Sequence, residues 1–313
     1  MSVENADRTD ETPRLRYSTN MPNTSLPVTH PSPDIRMIAV DLDDTLLRDD
    51  LSISDANRRA LLAAEDAGVV VLLATGRVLS SMLPYARQLG MLAREGYLIS
   101  GNGTLLTRSD TGEELIRELL APEDAVEVFR LIDAAGLPAE IYLGDVACAS
   151  RDDFWVDEDC RYSGLGKRIV PDFVDLLRSV PVPKLMIPGD PQRLRELYEQ
   201  LHGEIGHRFN LVTSKPFFLE VLPGGSDKGT ALRHLAEMLA IPREHVMAIG
   251  DSMNDAGMIE WAGFGVAMNN AIPRIRAIAD WVTTCTNDED GVAEAVNRFV
   301  LRVSEPACCG AGG

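Results

Sequence analysis

Two short apolar runs, Met37–Val40 and 69–74, leave this chain few folds to choose from, because each ends in a polar turn and one amphipathic helix separates them. Ser54 is placed to cap a helix over about 55–67, with Ala60, Leu61 and Ala64 on one face and Gly68 as a stop. The run 69–74 is apolar on both sides of its alternation, so it reads as a strand buried on both faces. Strand, helix and strand make a βαβ unit whose strands lie parallel through a right-handed crossover. Their C-terminal ends face one side of the sheet. Thr75, Gly76 and Arg77 therefore fall beside Asp41, in the crevice where open α/β sheets bind ligands.

A helix near 79–89 and a strand at 97–100 lead into the turn Gly101, Asn102, Gly103, Thr104. The pattern then changes. It predicts a helix near 122–135, a strand near 139–143, an irregular acidic and aromatic stretch around Phe154 and Trp155, a strand at 184–187, a helix at 191–202, and strands near 209–213 and 217–222. Without long buried runs, this stretch reads as an α+β unit with one solvated sheet face. The parallel pattern resumes with a helix at 229–239, a strand at 246–249, a helix at 256–261 and a strand at 264–268. The fold class is thus α/β, a doubly wound parallel-sheet (Rossmann-like) core over 35–109 and 223–302. An α+β cap domain is inserted over 110–222. Residues 1–34 read as a disordered extension and 303–313 as a flexible tail.

Composition narrows the function. The chain has 313 residues, 45% of them hydrophobic, enough for two buried cores. A net charge of -18 argues against nucleic acid and anionic membranes as partners, since both select a basic field. A phosphorylated ligand must then find its positive charge locally. The five cysteines, Cys148, Cys160, Cys285, Cys308 and Cys309, form no CxxC pair and accompany no histidine cluster, which indicates neither a zinc site nor a disulfide framework. No apolar run approaches the ~20 residues that span a bilayer. The first 34 residues hold acids and prolines rather than a signal or transit pattern, so a cytoplasmic location is expected; a translation start at Met21 would also explain them.

The chemistry gathers at strand ends. Asp41 and Asp43 follow the first strand two residues apart, and neighbouring carboxylates repel unless they share a cation or a proton. That spacing suits a hard-metal site, an acid/base pair, or both. Thr75, Lys228 and the group Asp251, Asn254, Asp255 lie at other strand ends or helix starts. Converging carboxylates suit Mg²⁺, which keeps waters and takes phosphate oxygens, while a Thr hydroxyl and a Lys ammonium suit phosphate itself. The chain has only four lysines, so Lys228 at this place is not background. Singly, each residue has a plainer reading: Asp41 and Asp43 as turn caps, Thr75 bonded to its own backbone, Arg77 in a surface ion pair. Lys184 and Lys215 read as exposed, the acidic residues Asp152, Asp153, Asp157, Glu158 and Asp159 as solvated surface, and Phe154 with Trp155 as a local hydrophobic anchor.

Taken together, the motifs DLDDT (41–45), ATGR (74–77), GNGT (101–104), SDKGTAL (226–232) and GDSMNDAGM (250–258) resemble the haloacid dehalogenase superfamily, specifically its Cof-type phosphatases with a class IIB cap. The resemblance covers about 36–300. It implies Asp41 as nucleophile and Asp43 as general acid/base. It also implies Mg²⁺ on Asp41, the Asp43 carbonyl and Asp251, with Asp255 behind them, and phosphate contacts from Thr75, Gly76, Lys228 and Asn254. The activity implied is phosphomonoester hydrolysis of small phosphorylated metabolites, sugar phosphates or cofactor phosphates, through an aspartyl phosphate. A phosphomutase or a noncatalytic phospho-ligand sensor is the alternative, and homo-oligomerisation stays open. An ATPase-like relative typically carries Thr where Asp43 stands.

Overall fold

The structure, a computed structural model, describes residues 33–303. Most of the N-terminal extension, and the tail with Cys308 and Cys309, lie outside the described residues. Strand β1 (Met37–Val40) is buried along its whole length. Helix α1 (Asp55–Asp66) crosses to β2 (Val70–Ala74), parallel to β1 from Met37 opposite Val70 to Val40 opposite Leu73. The Asn57 N–H donates to Ser54 Oγ at 3.0 Å, capping α1, and Ala60, Leu61 and Ala64 are buried. Helix α2 (Leu79–Gln88) leads to β3 (Tyr97–Ser100), parallel to β2. Two antiparallel strands, β4 (Leu105–Arg108) and β5 (Glu114–Arg117), extend the sheet. The core sheet thus runs to Arg117, past the boundary at 109 that the sequence suggests. Short strands carrying Thr, Arg and Glu lack the buried run that announces a strand.

The second sheet is built from α3 (Pro122–Ala134), β6 (Glu140–Leu143), β7 (Val146–Ala149), α4 (Phe154–Ser163), β8 (Gly166–Ile169), α5 (Phe173–Ser179), β9 (Leu185–Pro188), α6 (Pro191–Ile205), β10 (Phe209–Lys215) and β11 (Phe218–Pro223). Its strand order is β10, β11, β9, β6, β7, β8. Helices α3, α5 and α6 contribute Ile132, Leu177 and Leu201 to a hydrophobic cluster separate from that of the core. The middle of the other sheet face is buried rather than solvated, in contrast to the sequence expectation, and only the edge strand β8 is exposed along its length. Glu220, Met186 and Glu140 stand in a row across β11, β9 and β6, and all three are buried. The acidic, aromatic stretch is helical rather than irregular. Asp153 caps α4 by accepting from the Trp155 N–H at 2.9 Å, and the helix turns Val156 and Asp159 inward. Asp159 is therefore buried, not solvated surface.

The chain returns through α7 (Lys228–Met238), β12 (Val246–Gly250), α8 (Ala256–Trp261), β13 (Phe264–Ala267), α9 (Pro273–Ile278), β14 (Trp281–Val282) and α10 (Gly291–Val296). The core order is β14, β13, β12, β1, β2, β3, β4, β5, and the pairs from β14 to β3 are parallel. Strand β1 lies between β2 and β12, where the winding reverses, so the loops after β1 and β12 open onto one crevice. A Cβ on Gly229 would sit 2.4 Å from the Gly257 carbonyl carbon; only glycine lets α7 and α8 approach this closely. No helix among the described residues is long and apolar enough to cross a membrane. Cys148 and Cys160 are free thiols, whereas Cys285 is disulfide-bonded, which the Cys spacing did not indicate.

Candidate active site

Asp41 follows β1 directly, and its backbone N–H donates to Ile249 O on β12 at 3.0 Å, so the sheet itself fixes its position. The chain then makes a wide turn anchored by buried Leu42 and Leu46, with Asp44 at φ +58°. Lys228, the first residue of α7, is completely buried and donates to Asp41 Oδ1 and to Asp255 Oδ1, both at 2.6 Å. The other Asp255 oxygen accepts the backbone N–H groups of Asp251 and Ser252, at 2.9 and 3.0 Å. Thr45 Oγ1 donates to Asp251 Oδ1 at 3.0 Å. Residues from three places in the chain thus meet at one point.

The electrostatics of this cluster are unbalanced. Burial and the charge of Asp255 outweigh the Lys228 ammonium and push the Asp41 carboxyl up to about 8. Burial, then the charges of Asp255 and Asp41, raise Asp251 well above the carboxylate range. Burial alone would lower Lys228, but the charges of Asp255 and Asp41 prevail and raise it. Oxygens of Asp41, Asp251 and Asp255 lie within 4.8 Å of one another. Three carboxylates against one ammonium leave two negative charges uncompensated, the charge of one divalent cation. An all-oxygen donor set of this kind fits Mg²⁺.

Asp43 is placed differently. Its carboxylate accepts two hydrogen bonds from Arg77, Nε at 2.9 Å and Nη2 at 2.7 Å. Burial would raise the Asp43 carboxyl, but the Arg77 bonds and charge, with Lys215 and Lys228, hold it below its usual value. Arg77 is no surface ion pair. Its side chain is only 9% exposed, and Nη1 donates to Tyr162 O on the second sheet's α4 at 3.2 Å. Thr75 is buried, and its Oγ1 accepts the Arg77 N–H at 3.1 Å.

The expectation that Lys184 and Lys215 are exposed is overturned. Lys184 is buried against Glu220 at 2.7 Å and donates to Gly76 O at 2.7 Å; Lys215 pairs with Asp44. Glu220 also accepts from Asn102 Nδ2 at 2.8 Å, and Asn102 Oδ1 accepts from Asn254 Nδ2 at 3.1 Å. Gly76 and Asn254 are thereby tied to the inserted unit. Asn102, Lys184, Lys215 and Glu220 are the site residues that sequence reasoning passed over, while Arg77 was placed beside Asp41 but with a surface ion pair as its plainer reading. The scarcity of lysine was a usable signal, since three of the four, Lys184, Lys215 and Lys228, stand here. The inner cavity, about 70 Å³, is lined by Asp41, Asp43, Gly76, Arg77, Asp251 and Asn254 from the core and by Tyr142, Lys184 and Glu220 from the insert.

The family model of haloacid dehalogenase-like hydrolases matches residues 38–296. This chain belongs to that family. Among its relatives, a Bacillus subtilis protein named 5-amino-6-(5-phospho-D-ribitylamino)uracil phosphatase is 33% identical over 269 residues, covering 86% of this chain and 97% of the relative. An HMP-PP phosphatase of Cronobacter sakazakii is 33% identical over 242 residues, covering 77% of this chain and 87% of its own. The crystal structure of a haloacid dehalogenase-like hydrolase from Bacteroides thetaiotaomicron superposes with a TM-score of 0.76 at 34% identity, covering 84% of this chain and 99% of that one.

Proposed function

We propose that this haloacid dehalogenase-like chain is a Mg²⁺-dependent phosphomonoester hydrolase of small phosphorylated metabolites, sugar phosphates or cofactor phosphates, working through a phosphoryl group carried on Asp41. The observation that carries the reading is the buried Asp41 carboxylate lining the inner cavity, with one oxygen held by Lys228 and the other left to attack. The relatives named for phosphate esters of small molecules support the substrate class.

The chemistry divides into two halves. In the first, an Asp41 oxygen bonds to phosphorus in line with the departing oxygen, the phosphorus–oxygen ester bond breaks, and the leaving alkoxide takes a proton from the Asp43 carboxyl. In the second, water attacks the phosphoryl group, its proton passes to the Asp43 carboxylate, and inorganic phosphate departs, returning Asp41. Asp43 as it stands, ionised and forked to Arg77, is set for the second half. For the first half it must carry a proton and release a guanidinium N–H. Lys228 and Thr75 hold phosphoryl oxygens, and Asn254 reaches the phosphate or the leaving group. Asp41, Asp251 and the Asp43 carbonyl would hold Mg²⁺, with Asp255 orienting Lys228; bound there, the ion supplies charge that lets an anionic nucleophile meet an anionic ester.

The test is phosphate release from a panel of phosphate esters, with Mg²⁺ or with EDTA, by the wild type and Asp41→Asn. We expect metal-dependent release that the variant loses by at least ~10³-fold. Folded variant protein that turns over at wild-type rates would refute the nucleophile assignment, and transfer of phosphate to a second sugar hydroxyl instead of water would favour a mutase.

A further inference from the structure

Five aromatic side chains gather at the outer edge of the site in a chain that is only 5% aromatic. Phe154 and Trp155 begin α4, Tyr162 lies near its end, and Phe217 and Phe218 follow β10. Trp155 stacks on Phe217 with centroids 5.8 Å apart and planes 22° apart. Phe217 lies 4.7 Å from Phe218 and 5.8 Å from Tyr162. This is not a core in the ordinary sense. Neither hydrophobic cluster contains these rings, Phe154 is 66% exposed, and Trp155, Tyr162 and Phe217 are only half-buried. A group that served solely to anchor the insert would bury its rings.

Two of the rings, Tyr162 and Phe217, border a second, outer cavity of about 470 Å³, which Leu51, the cations Arg48, Arg161 and Lys215, and acidic residues including Asp49 also line. It shares Asp43, Asp44, Tyr162 and Lys215 with the inner cavity, so the two are continuous at the acid/base residue. Small-molecule pockets begin at roughly 300 Å³, which the inner cavity does not reach and the outer one does. The three cations of the outer cavity already have carboxylates: Arg48 with Asp290 at 3.2 Å, Arg161 with Glu158 at 2.7 Å, and Lys215 with Asp44. A second anion is therefore not what the cavity asks for. Its lining is mixed, charged residues with an apolar wall made by Leu51 and the Tyr162 and Phe217 rings, and Arg161 and Lys215 stand over the Tyr162 ring at 5.2 and 5.7 Å, stiffening that wall.

We infer that the outer cavity takes a planar aromatic ring borne by the leaving alcohol, packed against Phe217 and Tyr162, so that the preferred substrates are phosphate esters of ring-bearing alcohols. The inference rests on the phosphatase reading above. Ring stacking on an aromatic side chain is worth about tenfold or more in affinity.

The experiment uses the full chain with Mg²⁺ and two matched pairs of esters: ribose 5-phosphate against uridine 5′-monophosphate, and ribitol 5-phosphate against riboflavin 5′-phosphate. Within a pair the phosphoryl group and the carbon chain are alike, and only the ring differs. The expected result is a kcat/KM ratio favouring the ring-bearing ester by about tenfold or more in at least one pair. That ratio should fall toward one in Phe217→Leu, which keeps apolar bulk without a flat face, and persist in Phe217→Tyr, with melting temperatures showing both variants folded. Release from all esters without ring preference, or a preference that Phe217→Leu does not move, overturns the inference and leaves the phosphatase reading standing. No release from any ester by the wild type defeats the phosphatase reading, and the inference falls with it.

Discussion

Arg77 shows what a single residue contributes here. It joins the Asp43 carboxylate of the core to a backbone carbonyl of α4, so its charge and its position act together. Removing it frees Asp43 to rise toward its ordinary value. Arg77→Ala is expected to lower kcat/KM by about 10- to 100-fold and to move the limb of the pH–rate profile that reports Asp43 to higher pH. Steady-state kinetics from pH 4 to 9 check this; an unmoved profile would separate Arg77 from Asp43. The sign for stability agrees, because a carboxyl held below its unfolded value of 3.8 adds stability above that pH and loses it as pH falls toward the folded value. The sequence made Asp41, Asp251, Asp255 and Lys228 legible because strand ends and helix starts can be read from apolar periodicity. Arg77 could be placed beside Asp41, but its burial and pairing were not legible, since its partner Asp43 lies 34 residues away and its second contact 85 residues away.

Among the elements, the open face of the inserted sheet departs furthest from expectation. The expected solvated face would have left part of the strand near 139–143 open, whereas Ile141 joins the insert's own core and Glu140 is buried as well. Neither Glu140 oxygen has an N–H or hydroxyl donor, and the Asp159 carboxyl faces it, an arrangement that favours a proton kept between the two. Burial, followed by the charge and hydrogen bond of Asp159, raises Glu140 well above 4.5. In the interval from 4.5 to that raised value the folded state keeps a proton that the unfolded chain has lost, so stability falls as pH rises through it. Glu140→Gln should remove part of this slope and be more stable than wild type by about 1–2 kcal/mol at pH 8, with little difference at pH 4.5. Melting curves at both pH values decide it; a variant less stable at pH 8 would show that the ionised form is the one the fold accommodates. Helix α4 escaped the sequence reading for a related reason, because an inward Asp159 disguises its buried face as a polar run.

The described residues form two sheets meeting over one carboxylate, and the inserted sheet's Lys184–Glu220 pair is one place where they are joined. Glu220 accepts from Lys184 and Asn102 at once, and Lys184 reaches Gly76 O across the same seam. Breaking one side leaves a buried charge, so Lys184→Ala should destabilise the chain by about 3 kcal/mol, seen as a lower urea midpoint. An unchanged midpoint would mean that the seam carries little of the stability. The doubly wound core was legible at this scale because its parallel strands are continuous apolar runs; the seam was not, because it is built from polar residues that become buried only when the sheets meet. What the two sheets enclose is, on this account, a site that carries phosphate on Asp41. The most direct measurement is to mix the Mg²⁺-loaded protein with a phosphate ester, quench in acid within a turnover, and map the phosphorylated peptide by mass. The account predicts one phosphoryl group on the peptide holding Asp41, acid-stable, lost in hydroxylamine and absent from Asp41→Asn. Turnover with no phosphorylated peptide, or a phosphoryl group on another residue, would contradict it.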